Sequence, residues 1–373
     1  MKSFATLLLL SLAFFSCNNA AWNTKADSWQ LTGFVKVDSI NPILKPAGGL
    51  RFTCPLQQRE VQWEERNVLN PAAVVKNDTV FLFFRAQDMN GTSRIGMATS
   101  IDGLHFTKAA TPVFYPATDS MKRYEWNSKR DSSVTLCNTC FDGVEDPRIV
   151  ESEDGVYIMT YTAYDGAIAR LALASSKDLR NWTKHGLVLN TKKYKNRWSK
   201  SGAIVAKQQD SKIIATKING KYWMYFGDTD IFMASSDNLI HWEVAENAES
   251  HQLISVLHPR PGYFDSRLVE PGPYALLKEE GILFIYNGSN GANFNDTSLP
   301  KFTYAAGQAL FDKNHPYQLI DRSNRFFIHP DKEYEKLGEV NEVCFVEGLV
   351  FFRNQWFLYY GTADSKIAVA VKE

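Results

Sequence analysis

The sequence lacks an excess of charge of either sign and has few cysteines. It carries 41 basic and 41 acidic side chains and 5 cysteines among 373 residues. Without net positive charge or a long block of Lys and Arg, the chain has no surface suited to a phosphate backbone, so nucleic acid is not an expected partner. The low cysteine content excludes a scaffold built on disulfides, and 45% hydrophobic residues exclude a disordered chain.

A long apolar run is found only at the N-terminus. Residues 1–17 place an apolar stretch between Lys2 and Cys17, which is typical of a lipoprotein-type signal peptide and too short to span a bilayer. We therefore expect a lipid anchor on Cys17 as the only link to a membrane, followed by a tether over 18–30. The expected location is the periplasm or outer membrane of a Gram-negative bacterium, and ordinary secretion is the alternative.

The remaining cysteines do not form a recognisable metal or redox motif. Cys137 and Cys140 are separated by two residues, but no second pair of this kind and no His pair completes a zinc site. Two loop thiols or a structural disulfide are the alternatives for this pair. No Asp-rich loop has the spacing of a calcium site, so we expect neither a metal nor a cofactor.

One strand pattern occurs five times along the chain. Each copy is an apolar run that ends at an acidic or amide residue and has an aromatic residue at its fifth position. Aromatic and β-branched residues over such short runs indicate strands. The five copies are VFLFFRAQD (80–88), YIMTYTAYD (157–165), YWMYFGDTD (222–230), ILFIYNGSN (282–290) and WFLYYGTAD (356–364).

Further repeated elements surround these strands. A short run with a polar start precedes each copy, and a strand–turn–strand pattern follows at least three of them. Short strands repeated five times, without a convincing amphipathic helix, predict an all-β fold, a five-bladed β-propeller formed as a single domain over 31–373. Because a closed propeller has to join its ends, we expect the strand at 367–371 or the segment at 31–37 to complete a blade begun by the other terminus.

The polar starts of the predicted inner strands supply the candidate site. In a propeller the first strand of each blade lines the central channel, so equivalent positions converge. Burying several charges costs several kcal/mol each unless they are paired, which favours a functional reason for this convergence. Glu270 and Glu347 have a structural alternative, bracing neighbouring blades through backbone amides. The converging residues are Asn70, Asp146, Lys200 with Ser201, Glu270 and Glu347.

The chain resembles glycoside hydrolase family 130, the inverting β-mannoside phosphorylases and β-1,2-mannosidases on five-bladed propellers. The matching stretches spread over nearly the whole chain after the signal peptide: 70–72, 84–88, 145–148, 161–165, 264–266, 270–273 and 359–365. The resemblance implies that Asp146 is the general acid, which protonates the leaving oxygen through the 3-hydroxyl of the bound mannose. It also implies that a mannose-containing oligosaccharide is the partner and that the −1 subsite holds mannose with Asn70, Arg85, Asp88 and Asp265.

The identity of the nucleophile separates two activities. A hydrolase needs a carboxylate base, for which Glu270 and Asp228 are the candidates and Glu347 is a weaker third, whereas a phosphorylase needs cations for phosphate. An inverting hydrolase places its two carboxyl groups about 6.5–9.5 Å apart. Asp364 is a further substrate-binding candidate, and Arg170 has the alternative of a strand residue paired with an acid. The cations available for an anion pocket are Arg148, Arg170, Lys200, His258 and Arg260.

The export signal favours hydrolysis, because a sugar phosphate is useful only inside the cytoplasm. We therefore expect an inverting, exo-acting β-mannosidase that hydrolyses β-1,2-linked manno-oligosaccharides. The alternative is a β-mannoside phosphorylase that uses inorganic phosphate as co-substrate and releases mannose 1-phosphate. A second alternative is a glycan-binding lipoprotein without catalysis, since a fold does not imply a function.

Overall fold

The computed structural model describes residues 29–130 and 141–373. The predicted signal peptide, Cys17, nearly all of the tether and the Cys137–Cys140 pair lie outside the described residues. The described part of the chain is strands and loops apart from the two short helices α1 (Lys122–Glu125) and α2 (Glu333–Lys336) and one 3₁₀ turn (Ser128–Arg130). This confirms the all-β class. No helix in this part of the chain is long and apolar enough to cross a membrane.

The strands follow the five predicted repeats as five antiparallel units in chain order. Three short strands come first, β1 (Val35–Lys36), β2 (Arg51–Cys54) and β3 (Arg59–Gln62). Unit 1 contains β4 (Asn67–Lys76), β5 (Thr79–Gln87), β6 (Thr92–Ser100) and β7 (Thr107–Lys108). Unit 2 contains β8 (Asp142–Glu151), β9 (Tyr157–Tyr164), β10 (Ala169–Ser176) and β11 (Thr183–Leu187).

Units 3 to 5 complete the set. Unit 3 contains β12 (Ala203–Gln209), β13 (Lys212–Ala215), β14 (Tyr222–Phe226), β15 (Phe232–Ser236) and β16 (Trp242–Val244). Unit 4 contains β17 (Leu268–Pro271), β18 (Ala275–Leu277), β19 (Ile282–Ser289), β20 (Tyr304–Phe311) and β21 (Leu319–Arg322). Unit 5 contains β22 (Cys344–Phe352), β23 (Gln355–Thr362) and β24 (Lys366–Lys372), and β1 joins it as the outer strand.

Each unit also contacts the next one along the chain. Parallel pairings join β6 to β8, β13 to β8 and β12 to β18, while β20 contacts β22 and β22 contacts β4. The first strands β4, β8 and β22 are buried along almost their whole length. The first strands β4, β8, β12 and β22 each take part in these contacts between units, and the sequence analysis places the candidate site at the starts of the first strands.

The two ends of the described chain pair with each other in unit 5. Val35 of β1 lies opposite Val371 of β24 in antiparallel register. The Lys36 ammonium contacts the carboxylates of Asp331 and Glu335, and Glu335 belongs to α2. The expectation that the 31–37 segment joins the C-terminal strand is confirmed by this pairing.

The repeated aromatic residue at the fifth position of each strand copy belongs to the core. All five side chains are almost completely buried, and their rings pack on other aromatic rings or aliphatic side chains between the units. Burial of an aromatic side chain is a large stabilising contribution, which explains the repetition at this position. The five residues are Phe84, Tyr161, Phe226, Tyr286 and Tyr360.

Candidate active site

Irregular strand pairing places the polar side chains of the candidate site. The register of β4 on β5 shifts at Asn70, that of β8 on β9 shifts at Asp146 and Pro147, and that of β22 on β23 shifts at Glu347. Asn70 and Asp146 have positive φ angles of 48° and 50°, a conformation that Asn and Asp tolerate better than most residues. Such bulges redirect side chains and occur often beside active sites. We call the side chains gathered here the central group.

Asp146 lies at the middle of the central group and is 2% exposed. Its Oδ1 accepts a hydrogen bond from Asn70 Nδ2 at 2.9 Å and lies 3.5 Å from Arg85 Nη1, while Lys200 Nζ lies 3.9 Å from Oδ2. Burial alone raises the pKa of Asp146, but the charges of Arg85 and Lys200 and the hydrogen bond from Asn70 outweigh it and lower the pKa. Asp146 is therefore ionised in the unliganded protein.

Lys200 joins Asp146 to Glu270. Its Nζ lies 3.0 Å from Glu270 Oε1, which also accepts a hydrogen bond from the Ser201 hydroxyl. Burial lowers the pKa of Lys200, but the carboxylates of Glu270, Asp146 and Asp228 outweigh it and raise the pKa, so the ammonium stays charged. The Lys200 ammonium contacts both carboxylates. The nearest oxygens of Asp146 and Glu270 are therefore no further apart than the sum of their distances from Lys200 Nζ. That limit falls at the lower end of the ~6.5–9.5 Å typical of inverting hydrolases.

Glu145 and Asp364 complete the acidic side of the central group. Glu145 Oε1 lies 2.8 Å from Arg85 Nη2 and accepts a hydrogen bond from Ser93 Oγ at 2.9 Å, and burial raises its pKa. Burial together with the charge of Asp146 also raises the pKa of Asp364 to about 6, against the opposing charge of Arg85. The sequence analysis missed Glu145, because successive strand residues normally point to opposite faces. The bulge brings Glu145 and Asp146 to the same arginine.

Arg148 and Glu347 form a buried pair beneath the central group. Arg148 donates to the carbonyl oxygens of Gly272 at 2.7 Å and Pro271 at 2.6 Å, and its Nη1 lies 2.6 Å from Glu347 Oε1. The two side chains are 2% and 0% exposed, and burial raises the pKa of Glu347 well above its usual range despite Arg148. Arg148 thus braces unit 2 against units 4 and 5, and the structure gives it little access to a ligand.

Asp88 and Arg170 make contacts outside the central group. Asp88 Oδ2 lies 2.9 Å from Arg94, and its Oδ1 accepts hydrogen bonds from the backbone of the following turn. Arg170 pairs with Asp165 at 2.7 Å and donates to the Lys195 carbonyl at 2.9 Å, which is the structural alternative considered for this residue. Both side chains are buried and hold the turns beside their strands.

Asp265 is likewise engaged away from Asp146. Its Oδ2 lies 2.8 Å from Arg260 and 2.6 Å from Arg322, and it accepts a hydrogen bond from the Tyr286 hydroxyl at 2.8 Å. The residue is completely buried. Two guanidinium groups and a phenol contact this carboxylate, so Asp265 holds these three side chains together in unit 4.

Asp228 lies at the edge of the central group and is half-buried. Its Oδ2 accepts a hydrogen bond from Trp198 Nε1 at 2.6 Å, and its charge acts on Lys200. In the described ranges, no group of three or more His, Cys, Asp or Glu residues is placed to hold a metal ion. The central group therefore offers carboxylates and cations in close contact as its chemistry.

Known mannoside phosphorylases are similar to this chain over most of its length. A family model described as beta-1,4-mannooligosaccharide phosphorylase matches residues 41–373. The chain is 29% identical over 329 residues to a 1,2-beta-oligomannan phosphorylase of Thermoanaerobacter sp. (strain X514), covering 85% of this chain and 94% of the relative. It is 28% identical over 332 residues to a beta-1,2-mannobiose phosphorylase of the same strain, covering 84% and 93%.

One solved structure is more similar in sequence to this chain than these two relatives are. It is 39% identical, has a TM-score of 0.88 and covers 93% of this chain and 96% of its own chain. Its description states that the GH130 family of mannoside phosphorylases contains glycoside hydrolases that target beta-1,2 mannosidic linkages in Candida mannan.

The phosphorylase names of the family model and the two relatives contradict the sequence-based prediction of hydrolysis and fit its phosphorylase alternative. The export signal was a poor guide to the nucleophile, because it reports on location and says nothing of the groups in the site. Since the family model extends over residues 41–373, the chain belongs to glycoside hydrolase family 130.

Proposed function

We propose that this protein is a β-mannoside phosphorylase that cleaves β-1,2-linked manno-oligosaccharides with inorganic phosphate and releases mannose 1-phosphate. The names of the family model and of the relatives support this activity. The structural observation that carries it is the pair of cations beside Asp146. The side chains of Arg85 and Lys200 are 17% and 20% exposed, whereas that of Arg148 is 2% exposed. Arg85 and Lys200 are therefore more accessible to an anion than Arg148.

The reaction balances without a further reactant. A phosphate oxygen attacks the anomeric carbon of the terminal mannose, and the bond from that carbon to the glycosidic oxygen breaks. The leaving oxygen takes its proton from Asp146, and the hydrogen of the phosphate replaces that proton on Asp146. Charge-assisted hydrogen bonds from Arg85 and Lys200 hold the phosphate. A phosphate bound there offsets the two charges that keep Asp146 ionised and so favours its protonation. Asp146 then passes the proton to the leaving oxygen through the mannose.

Removal of Lys200 tests the phosphate site. We expect Lys200→Ala to raise the KM for phosphate by about 10- to 100-fold, because a hydrogen bond to a charged group contributes about 1.5–3 kcal/mol. The KM for the manno-oligosaccharide should change less. Lys200→Arg keeps the charge, so its KM for phosphate should lie between that of the unmodified protein and that of Lys200→Ala. Lys212→Ala is the control, since Lys212 pairs with Glu151 and is 53% exposed.

Saturation kinetics in phosphate, with thermal melting of each variant, provide the measurement. Melting identifies a loss of folding, since Lys200→Ala leaves the buried Glu270 without its ammonium. A rate that does not depend on phosphate in the unmodified protein would contradict the proposal.

We also propose that the five units are the blades of a single five-bladed propeller over 31–373. The order of contacts supports it, because each unit contacts the next and β22 of unit 5 contacts β4 of unit 1. A crystal structure in which units 5 and 1 are apart would contradict this arrangement.

We also propose, from the sequence, that the protein is exported and carries a lipid on Cys17. Lipid labelling of the protein in cells should therefore be lost in Cys17→Ser.

A further inference from the structure

A cavity of about 470 Å³ lies beside Asp228, at the edge of the central group. Its walls come from residues 197–199, just before β12, and from residues 226–232, where β14 turns into β15. Trp198 and Phe232 line it together with Asp228 and Asp230. Flat rings combined with a few polar groups suit a pyranose, which has apolar faces and hydroxyls around its edge.

Trp198 and Asp228 line this cavity and form a hydrogen-bonded pair. The indole Nε1 donates to Asp228 Oδ2 at 2.6 Å. The backbone amide of Gly227, which also lines the cavity, donates to the carbonyl oxygen of Lys200 at 3.0 Å. The Lys200 ammonium lies 3.9 Å from Asp146. The cavity therefore begins within one or two side chains of the expected site of bond cleavage.

Trp198 is held in place although its ring is open to solvent. The residue is 49% exposed, its nitrogen is fixed by Asp228, and its ring meets that of Tyr164 edge to face at 6.3 Å and 67°. A ring that is already ordered loses little conformational freedom when a ligand covers it. Trp198 is thus prepared to bind a flat apolar surface.

We propose that Trp198 and Asp228 bind the pyranose on the leaving side of the scissile bond, and that the cavity takes the following pyranose of a longer β-mannan chain. This inference rests on the proposed cleavage of manno-oligosaccharides at the central group. Asp228 is then a sugar-binding carboxylate, in place of the base predicted from the sequence. Its Oδ2 accepts a hydrogen bond from the indole, which leaves Oδ1 to accept one from a sugar hydroxyl.

The test compares substrates of increasing length. KM and kcat are measured for β-1,2-mannobiose, mannotriose and mannotetraose with Trp198→Ala, Asp228→Asn and the control Tyr317→Ala, whose ring is 56% exposed in the loop before β21. We expect Trp198→Ala to raise the KM by at least ~10-fold, which corresponds to about 1.4 kcal/mol, for all three substrates, because each has a pyranose on the leaving side of the scissile bond. Asp228→Asn should raise KM while kcat stays within about 3-fold.

Two results would overturn the inference. One is an equal KM for Trp198→Ala and Tyr317→Ala at every chain length, and the other is a loss of kcat without a change of KM in Asp228→Asn, which is the behaviour of a catalytic base. A separate binding assay distinguishes failure of this inference from failure of the proposed function. Mannotetraose should change the tryptophan fluorescence of Asp146→Asn protein without phosphate, and this change should disappear when Trp198→Ala is added.

Discussion

Neighbouring carboxyl groups around Asp146 differ in their affinity for protons. The cations beside Asp146 lower its pKa, whereas burial raises the pKa of Asp364 to about 6 and also raises that of Glu270. Separating the pKa values of adjacent acids is how a site assigns different tasks to similar groups. The sequence predicted Asp146 and Lys200 as partners of one site from their repeated positions. It did not predict which acid is ionised, because that depends on neighbours from different units.

Asp364 provides a pH prediction at this scale. Its folded pKa of about 6 lies above the ordinary 3.8, so the folded protein holds this proton more tightly than the unfolded chain. The contribution of Asp364 to stability is therefore fully present below about pH 4 and is lost as the pH rises through about 6. Asp364→Asn imitates the protonated form and should remove this loss.

Urea unfolding from pH 4 to pH 7 measures the effect. The free energy of unfolding of Asp364→Asn minus that of the unmodified protein should increase with pH up to about 6 and then level off. A difference that stays constant over this range would show that Asp364 is not the titrating group. Taking the difference removes the contribution of the other carboxyl groups.

Among the elements, regular strands were predictable and bulges were not. The five strand copies are local patterns, and so are the turns that follow them, in which Ser100 Oγ and Asp102 Oδ1 accept hydrogen bonds from the backbone of the turn. A bulge depends on how two strands pair, which no single strand reveals. One signal was present at all five starts, a polar residue directly followed by Pro or Gly. These pairs are Asn70–Pro71, Asp146–Pro147, Ser201–Gly202, Glu270–Pro271 and Glu347–Gly348.

Gly361 of β23 gives a prediction about the bulge in β4. A Cβ at this position would lie 2.6 Å from Asn70 Oδ1, so Gly361→Ala has to displace the side chain that donates to Asp146. We expect kcat/KM to fall by about 10- to 100-fold, the effect of moving a catalytic group by roughly 1 Å. Gly49→Ala is the control, because nothing lies within 4 Å of a Cβ there. Unchanged activity in Gly361→Ala would show that Asn70 does not position Asp146.

For the whole molecule, the strand repeats predicted the all-β class and the family resemblance predicted a mannose-containing substrate, but neither predicted the nucleophile. Water and phosphate are distinguished by the cations and carboxylates that surround the anomeric carbon, and these come from several units. From the sequence, Arg148 and Arg170 were both candidates to bind phosphate. In the structure Arg148 forms a buried pair with Glu347, and Arg170 pairs with Asp165. The prediction of hydrolysis relied on the signal sequence at residues 1–17, which indicates a location and carries no information on the nucleophile.

Product analysis tests the central claim most directly. The purified protein is incubated with β-1,2-mannobiose, with and without millimolar phosphate, and free mannose and mannose 1-phosphate are measured separately. The account predicts that mannose 1-phosphate appears in step with phosphate, and that Asp146→Asn loses at least ~10²-fold of this rate. Release of two mannose molecules per mannobiose at a rate that ignores phosphate would contradict it.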